Sequence, residues 1–323
     1  MKTRIIGTGS YLPEKIVTND ELAEWIDTSD AWISSRTGIR KRRIAVRETG
    51  ADMAAKAALR ALGDSKTTPE EIELLIVATC SGESCFPSIA CQVQKEVGAV
   101  GAAAFDLSAA CSGFLYALNT VQAYLQAGIY KKALVIGTEV LSGLVDWKDR
   151  STCVLFGDGA GAVVVEADEM GLEGFVQYAD GRKGEVLTCK GGKRKNFLQE
   201  GQEEEETGAC LTMNGQEVFR FAMKKVPECI QQVMEKTGRK KEEIRWYILH
   251  QANSRIICSV AKRLGESEEK FPMNLQEYGN TSAASIPILL DEMNKGGKLK
   301  RGDQVILSGF GAGLTWGAAL LTW

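Results

Sequence analysis

An alternation of short apolar runs with amphipathic segments, repeated in both halves, leaves few folds open to this chain. In the first half, residues 3–9, 74–79, 133–140 and 163–166 read as strands. Residues 51–62, 89–97 and the stretch after residue 113 read as helices between them, by the three- and four-residue spacing of their apolar positions. The second half repeats the pattern. Helices over 217–236, 252–264 and 283–293 alternate with strands over 246–249, 304–308 and 318–322. Each half ends on consecutive strands, which predicts two related α/β halves, each with a mixed sheet. The composition turns polar and glycine-containing around residues 168–174, so the expected division is 1–172 and 173–323.

Within the first half the segment from Ala102 to Gly128 carries the clearest chemical signal. A short apolar strand ends at Asp106-Leu107. Small residues follow (Ser108, Ala109, Ala110, Cys111, Ser112, Gly113), and then an amphipathic helix with Phe114, Leu115, Leu118, Val121 and Leu125 on its apolar face. Strand, sharp turn and helix would place the Cys111 thiol at unpaired N–H groups of a helix start. That field lowers a thiol pKa from its usual value of about 8.5 and makes a nucleophile. A small buried hydrophobe is the other role open to such a cysteine. His250 and Asn280 also stand directly after a strand or at a helix entry, the positions that converge on one crevice of an α/β sheet. Taken singly, His250 reads equally as a core histidine, and Asn280, after Gly279, as a turn residue.

Composition removes several classes of function. A net charge of −3 and a pI near 5.6 give no general affinity for nucleic acid. No window of 18 apolar residues could cross a membrane, and the N-terminus runs straight into a strand pattern without the apolar core of a signal peptide. The nine cysteines show no CxxC pairing and there is one histidine. These read as reduced thiols of a cytoplasmic protein without a metal site. The segment after Lys190, with Lys193, Arg194, Lys195 and then Glu203–Glu206, reads as a mobile surface loop. The glycine run Gly157–Ala162 lacks the order and the strand-to-helix context of a dinucleotide site, and reads as close backbone packing. Trp32 precedes Arg36 by four residues, so on a helix they share a face. With Arg40–Arg43 following, that face could stack and charge-pair a base- and phosphate-bearing ligand, or be a solvated basic patch.

Four local strings bear on these alternatives: Asp106-Leu107-Ser108-Ala109-Ala110-Cys111-Ser112-Gly113, His250-Gln251-Ala252-Asn253, Gly279-Asn280-Thr281-Ser282-Ala283, and Gly309-Phe310-Gly311-Ala312-Gly313-Leu314-Thr315-Trp316-Gly317. In this order they resemble the β-ketoacyl-acyl-carrier-protein synthase III family of the thiolase-like fold. The resemblance extends from Gly7-Thr8-Gly9-Ser10-Tyr11-Leu12-Pro13 to the last strand. It implies an αβαβα arrangement of layers and a catalytic set of Cys111, His250 and Asn280. By the same resemblance Trp32, Arg36, Arg150 and Asn253 contact coenzyme A. Gln251, Ala252, Asn253, Ser254 and Arg255 meet the acyl carrier protein, with Arg220, Lys262 and Arg263 extending that basic surface. Phe86 reaches the partner's acyl pocket in a homodimer, and Leu141, Phe156, Leu187, Met213 and Phe310 line the pocket. The backbone N–H groups of Cys111 and Ala312 form the oxyanion hole. Ala312 stands where many members have glycine, and keeps the N–H if its φ is negative.

The implied chemistry is acyl transfer from an acyl-coenzyme A primer to Cys111, then condensation with malonyl-carrier protein after loss of CO2. Coenzyme A enters as a thioester substrate, and no cofactor is implied. Three rivals are tested by particular residues. A biosynthetic thiolase would need a second cysteine as base where Asn280 stands. A hydroxymethylglutaryl-coenzyme A synthase would need a glutamate near Thr79, for which Glu83 is the nearest candidate. Ketosynthases of secondary metabolism would share all three catalytic residues, and a non-catalytic coenzyme A-binding homologue would not need them intact.

Overall fold

The structure is a computed structural model that describes residues 1–190 and 210–323. The charged segment after Lys190 lies outside the described residues. The first half runs β1 (Lys2–Tyr11), β2 (Ile16–Thr18), α1 (Asn19–Ala23), α2 (Asp30–Thr37), β3 (Lys41–Arg43), α3 (Gly50–Ser65), β4 (Leu74–Ala78), α4 (Ile89–Val97), β5 (Ala103–Leu107), α5 (Gly113–Gln126), β6 (Lys132–Glu139) and β7 (Gly159–Asp168). The second runs β8 (Leu172–Ala179), β9 (Leu187–Cys189), β10 (Leu211–Met213), α6 (Gly215–Thr237), β11 (Ile244–Leu249), α7 (Ser254–Leu264), α8 (Leu275–Tyr278), α9 (Ser285–Lys295), β12 (Gln304–Gly311) and β13 (Thr315–Thr322).

The strands form two main sheets, in the orders β1-β7-β6-β4-β5 and β11-β12-β13-β8. Each is mixed. β4 is parallel to β5 and β6 while β7 is antiparallel to its neighbours, and β11 is parallel to β12 while β13 is antiparallel to β12 and β8. Helices α5 and α9 lie between the sheets. Their residues Phe114, Leu118, Val121, Ile286, Leu289 and Leu290 share one core with strand residues of both halves. An apolar surface on every side is what a helix between two sheets requires. Helices α3 and α4 cover the outer face of the first sheet, and α6 and α7 that of the second. The layers follow the thiolase-like order expected from the sequence.

Close approach of α9 to the first sheet explains the glycine run. A Cβ at Gly161 would lie 2.6 Å from the Ile288 nitrogen and 2.7 Å from the Pro287 carbonyl carbon. The run is therefore the beginning of β7, longer than the strand read from sequence. Two more local readings change. The cap of α1 is Thr18, whose hydroxyl accepts from the Glu21 N–H while Glu21 returns the bond, in place of Asn19 or Asp20. Strand β8 covers 172–179, where the sequence showed only a polar boundary, and its pairing with β13 supplies the order that its own alternation does not.

Both central helices begin with the same irregular turn. A single 3-10 turn, Ala110–Ser112, precedes α5, and another, Ser282–Ala284, precedes α9. The first residue of each is left-handed: Ala110 at φ 46° and Ser282 at φ 47°. Such a backbone is costly for a residue with a Cβ and is held only by its surroundings. The two turns pack against each other, and the candidate site lies where they meet.

Candidate active site

Cys111 follows β5 on the first of these turns, with only 9% of its surface exposed. Strand β12 backs it closely: a Cβ at Gly311 would lie 2.6 Å from the Cys111 nitrogen, so a larger residue there would displace the nucleophile turn. Burial pushes the Cys111 thiol up to about 12; the Ser282 hydroxyl and the cysteine's own N–H pull against this, and the Glu139 charge adds to it. This corrects the sequence expectation of a thiol already lowered by the helix start. Desolvation is the largest influence on this thiol, and it favours the protonated form in the free protein.

His250 directly follows β11 and is 2% exposed. Burial lowers its pKa to about 3, so the ring is neutral. Nδ1 lies 2.7 Å from Ser285 Oγ, and that oxygen also accepts from the Gln251 N–H at 3.4 Å. The serine proton is then directed to Nδ1, leaving Nε2–H as the donor toward the cavity. Phe310 meets the ring edge-on at 5.5 Å. Asn280 is fixed by its backbone, which donates to the Leu155 carbonyl at 2.8 Å and accepts from the Gly157 N–H at 3.1 Å. Its Oδ1 accepts from the Ser282 N–H at 2.9 Å, which leaves the amide NH2 as the outward donor.

One cavity of about 290 Å³ is lined by Cys111, His250 and Asn280, together with Trp32, Arg36, Asn253, Ala252, Phe156, Leu187, Met213 and Phe310. A second, of about 420 Å³, meets it at Cys111, Phe156 and Leu187, and adds Leu141, Cys80, Ser282 and Ala312. All the expected pocket residues of this chain except Phe86 therefore line one or the other. Phe86 lines neither and is 87% exposed. Ala312 is absent from the described non-glycine residues with positive φ (Lys66, Ala110 and Ser282), which meets the condition set for its N–H.

At the mouth, the Trp32 ring on α2 is bracketed by two guanidinium groups, Arg36 at 4.9 Å and Arg150 at 5.0 Å. Arg150 is also held by Asp27, through a 2.7 Å bond to its carbonyl. Asn253 caps α7 and donates to the Arg36 carbonyl at 3.0 Å, joining the two helices. Arg36, Arg220, Arg255 and Asn253 line one shallow opening beside the mouth, and Lys262 is exposed further along α7. Two expectations for this surface are corrected, those for Gln251 and Arg42. Gln251 is fully buried, donating to the Leu249 carbonyl and accepting from the Asn274 N–H, and no partner can touch it. Arg263 stays exposed, as expected for that surface, and its Nη1 also donates to the Met223 carbonyl at 3.0 Å. In the basic run after Gly38, Arg42 is completely buried, bonded to the Val17 and Val154 carbonyls.

Sequence reasoning missed three residues. Ser285 orients His250, Ser282 lines the second cavity with Cys111 and holds Asn280, and Glu139 at the end of β6 accepts from Ser282 at 3.0 Å. Ser282 stands in the quoted Asn280 string and Ser285 lies two residues beyond its end, so two serines about one helical turn apart were the available signal. Nothing local marked Glu139. Glu83, the candidate base of a hydroxymethylglutaryl-type enzyme, points elsewhere: its Oε1 accepts from the Gly50 N–H at 2.6 Å, and it lines neither cavity.

Sequence profiles for 3-oxoacyl-[acyl-carrier-protein (ACP)] synthase III match residues 105–181, and those for its C-terminal part match residues 234–323. The β-ketoacyl-[acyl-carrier-protein] synthase III of Clostridium acetobutylicum is 53% identical over 320 residues, covering 99% of this chain and 98% of that protein. That of Clostridium tetani is 47% identical over 329 residues, covering 100% of this chain and 98% of that protein. Among solved structures, 3-oxoacyl-[acyl-carrier-protein] synthase III from Aquifex aeolicus superposes with a TM-score of 0.93 at 48% identity, over 99% of this chain and 100% of that one. The priming β-ketosynthase of the R1128 polyketide pathway does so with a TM-score of 0.93 at 36% identity, over 99% of this chain and 96% of that one. With profile matches in both halves and close identity over its full length, the chain belongs to the β-ketoacyl-acyl-carrier-protein synthase III family of acyltransferases.

Proposed function

We propose that the protein transfers the acyl group of a short acyl-coenzyme A primer to Cys111 and condenses it with malonyl-acyl-carrier protein, giving 3-oxoacyl-carrier protein, the first condensation of fatty acid biosynthesis. The observation that carries this reading is the single cavity in which the Cys111 thiol faces two neutral, oriented donors, His250 Nε2–H and the Asn280 amide. In the first half-reaction the Cys111 sulfur attacks the thioester, and the backbone N–H groups of Cys111 and Ala312 receive the oxyanion. In the second, malonyl loses CO2 and places negative charge on its thioester oxygen. Two neutral donors stabilise that charge without giving up a proton, as a charged imidazolium would tend to do. The carbanion then attacks acyl-Cys111.

Trp32, Arg36 and Arg150 suit the adenine and phosphates of coenzyme A, by stacking and charge. Arg36, Arg220 and Arg255 suit an acidic carrier protein. Phe86 suits a C2 homodimer in which each subunit covers the other's exposed ring. A polyketide-priming role would use the same three residues, but the 53% identity to a synthase III over nearly the full chain favours fatty acid initiation. The test is incubation with radiolabelled acetyl-coenzyme A, peptide mapping, and then addition of malonyl-carrier protein. Label on the Cys111 peptide that is discharged as 3-oxobutanoyl-carrier protein is the expected result. Stable label on Cys80, or none, would exclude it.

A further inference from the structure

The protonated Cys111 thiol has to lose its proton before or as it attacks, and the structure offers one buried carboxyl to take it. Glu139 closes β6 with no exposed surface, and none of the ion pairs among the described residues includes it. It is held instead by neutral donors. Ser81 Oγ lies at 2.6 Å, the Cys80 N–H at 3.1 Å, Thr79 Oγ1 at 3.3 Å, Cys80 Sγ at 3.3 Å and Ser282 Oγ at 3.0 Å. A carboxyl buried among neutral donors, with no cation to fix it as the anion, remains able to change protonation. Burial raises its pKa while those hydrogen bonds pull it back.

Ser282 joins this carboxyl to the nucleophile. Its hydroxyl donates to Glu139, and Ser282 lines the same cavity as Cys111, on a turn packed against the cysteine's own. Its backbone is held at φ 47°, a conformation that any regular helix start would avoid.

We propose that Ser282 and Glu139 form a proton relay for Cys111 during acylation, with Ser282 accepting the thiol proton as it passes its own to Glu139. The inference rests on the acyl-transfer reading above. The bond between Cys111 Sγ and the acyl carbon forms, and the bond from that carbon to the coenzyme A sulfur breaks. The electron pair leaves on the coenzyme A sulfur, which recovers the proton from Glu139 along the same path, so no other reactant is needed. Glu139 is a positioning residue that acts through Ser282. His250 is less suited to this step, because its buried ring resists taking a charge. The relay leaves it neutral for the enolate.

The test is single-turnover acylation by acetyl-coenzyme A, measured against pH in the whole enzyme and in the variants Glu139→Gln, Glu139→Asp and Ser282→Ala, beside malonyl decarboxylation. The titratable groups facing Glu139 among the described residues are Cys80 and Cys111, both raised by burial, so the limb at lower pH belongs to the carboxyl. A relay of this kind is worth about 100-fold. Both Glu139→Gln and Ser282→Ala should therefore slow acylation about 100-fold at neutral pH, far more than they slow decarboxylation. Their rates should climb steadily with pH as hydroxide replaces the relay, and Glu139→Asp should recover part of the loss. Ser282→Ala keeps the N–H that holds Asn280 and the other bonds to Glu139, so it remains informative if Glu139→Gln fails to fold. Acylation in Ser282→Ala at the normal rate with an unchanged pH profile would overturn the relay, as would equal losses in both half-reactions. Failure of the unaltered enzyme to take up acetyl would instead overturn the acyl-transfer reading itself.

Discussion

At the residue scale, environment rather than identity sets the protonation states in the site. Cys111, His250 and Glu139 are all desolvated, and each is driven toward its neutral form. For His250 this has a consequence for stability. Its folded pKa is about 3 against an ordinary value of 6.5. Between those values the unfolded chain binds a proton that the folded chain does not. Stability therefore falls as pH drops through 6.5, by about 1.4 kcal/mol per pH unit, and the loss continues down to the folded pKa. Glu139 and Asp158, raised by burial, act in the opposite direction, but equally in a variant that lacks only the imidazole. Urea unfolding at pH 7 and pH 5 should thus show the wild type losing about 2 kcal/mol more than His250→Asn. Equal losses would mean that the ring is charged in the folded protein.

At the element scale, α6 shows how one backbone defect is repaired from another helix. Pro227 sits inside α6 and cannot donate to the Met223 carbonyl one turn earlier. Arg263 of α7 reaches across and donates to that carbonyl instead. The arginine that reads as part of a basic docking surface is therefore also a structural cross-link between the two helices on the outside of the second sheet. Arg263→Ala should cost about 1 kcal/mol, the typical net worth of one hydrogen bond. In a Pro227→Ala background, where the new N–H can serve Met223, it should cost close to nothing. A double-mutant cycle by urea denaturation reads the difference directly, and an equal cost in both backgrounds would refute the repair.

At the scale of the whole molecule, the two sheets and the α5–α9 layer leave one large ring uncovered in the segment before α4. Phe86 is 87% exposed, between Cys85 and Pro87, and nothing among the described residues shields it. Sedimentation velocity should find a dimer, and Phe86→Ser should weaken it and alter the range of primers accepted. A monomeric, fully active wild type would contradict the proposed assembly. No described helix is long and apolar enough to cross a membrane.

The alternation of helices and strands and the positions of Cys111, His250 and Asn280 were legible because they depend on local chemistry, while the layer order was legible only through the family resemblance. Apolar periodicity places helices and strands, and tight turns admit only small residues or glycine, so their strings are distinctive. What the sequence left open depends on groups that meet only after folding. Glu139 touches Ser282 from 143 positions away and Thr79 from 60, and neither neighbourhood announces the other. Gln251 adjoins a catalytic residue and looks available, but Asn274 and Leu249 enclose it. Strand β8 has little alternation of its own and is specified by β13. The Cys111 turn reads as a place where a helix start lowers a thiol pKa, yet the depth at which both sheets bury it reverses the outcome. Desolvation is summed over every neighbour in space, and only the tertiary structure says who those neighbours are.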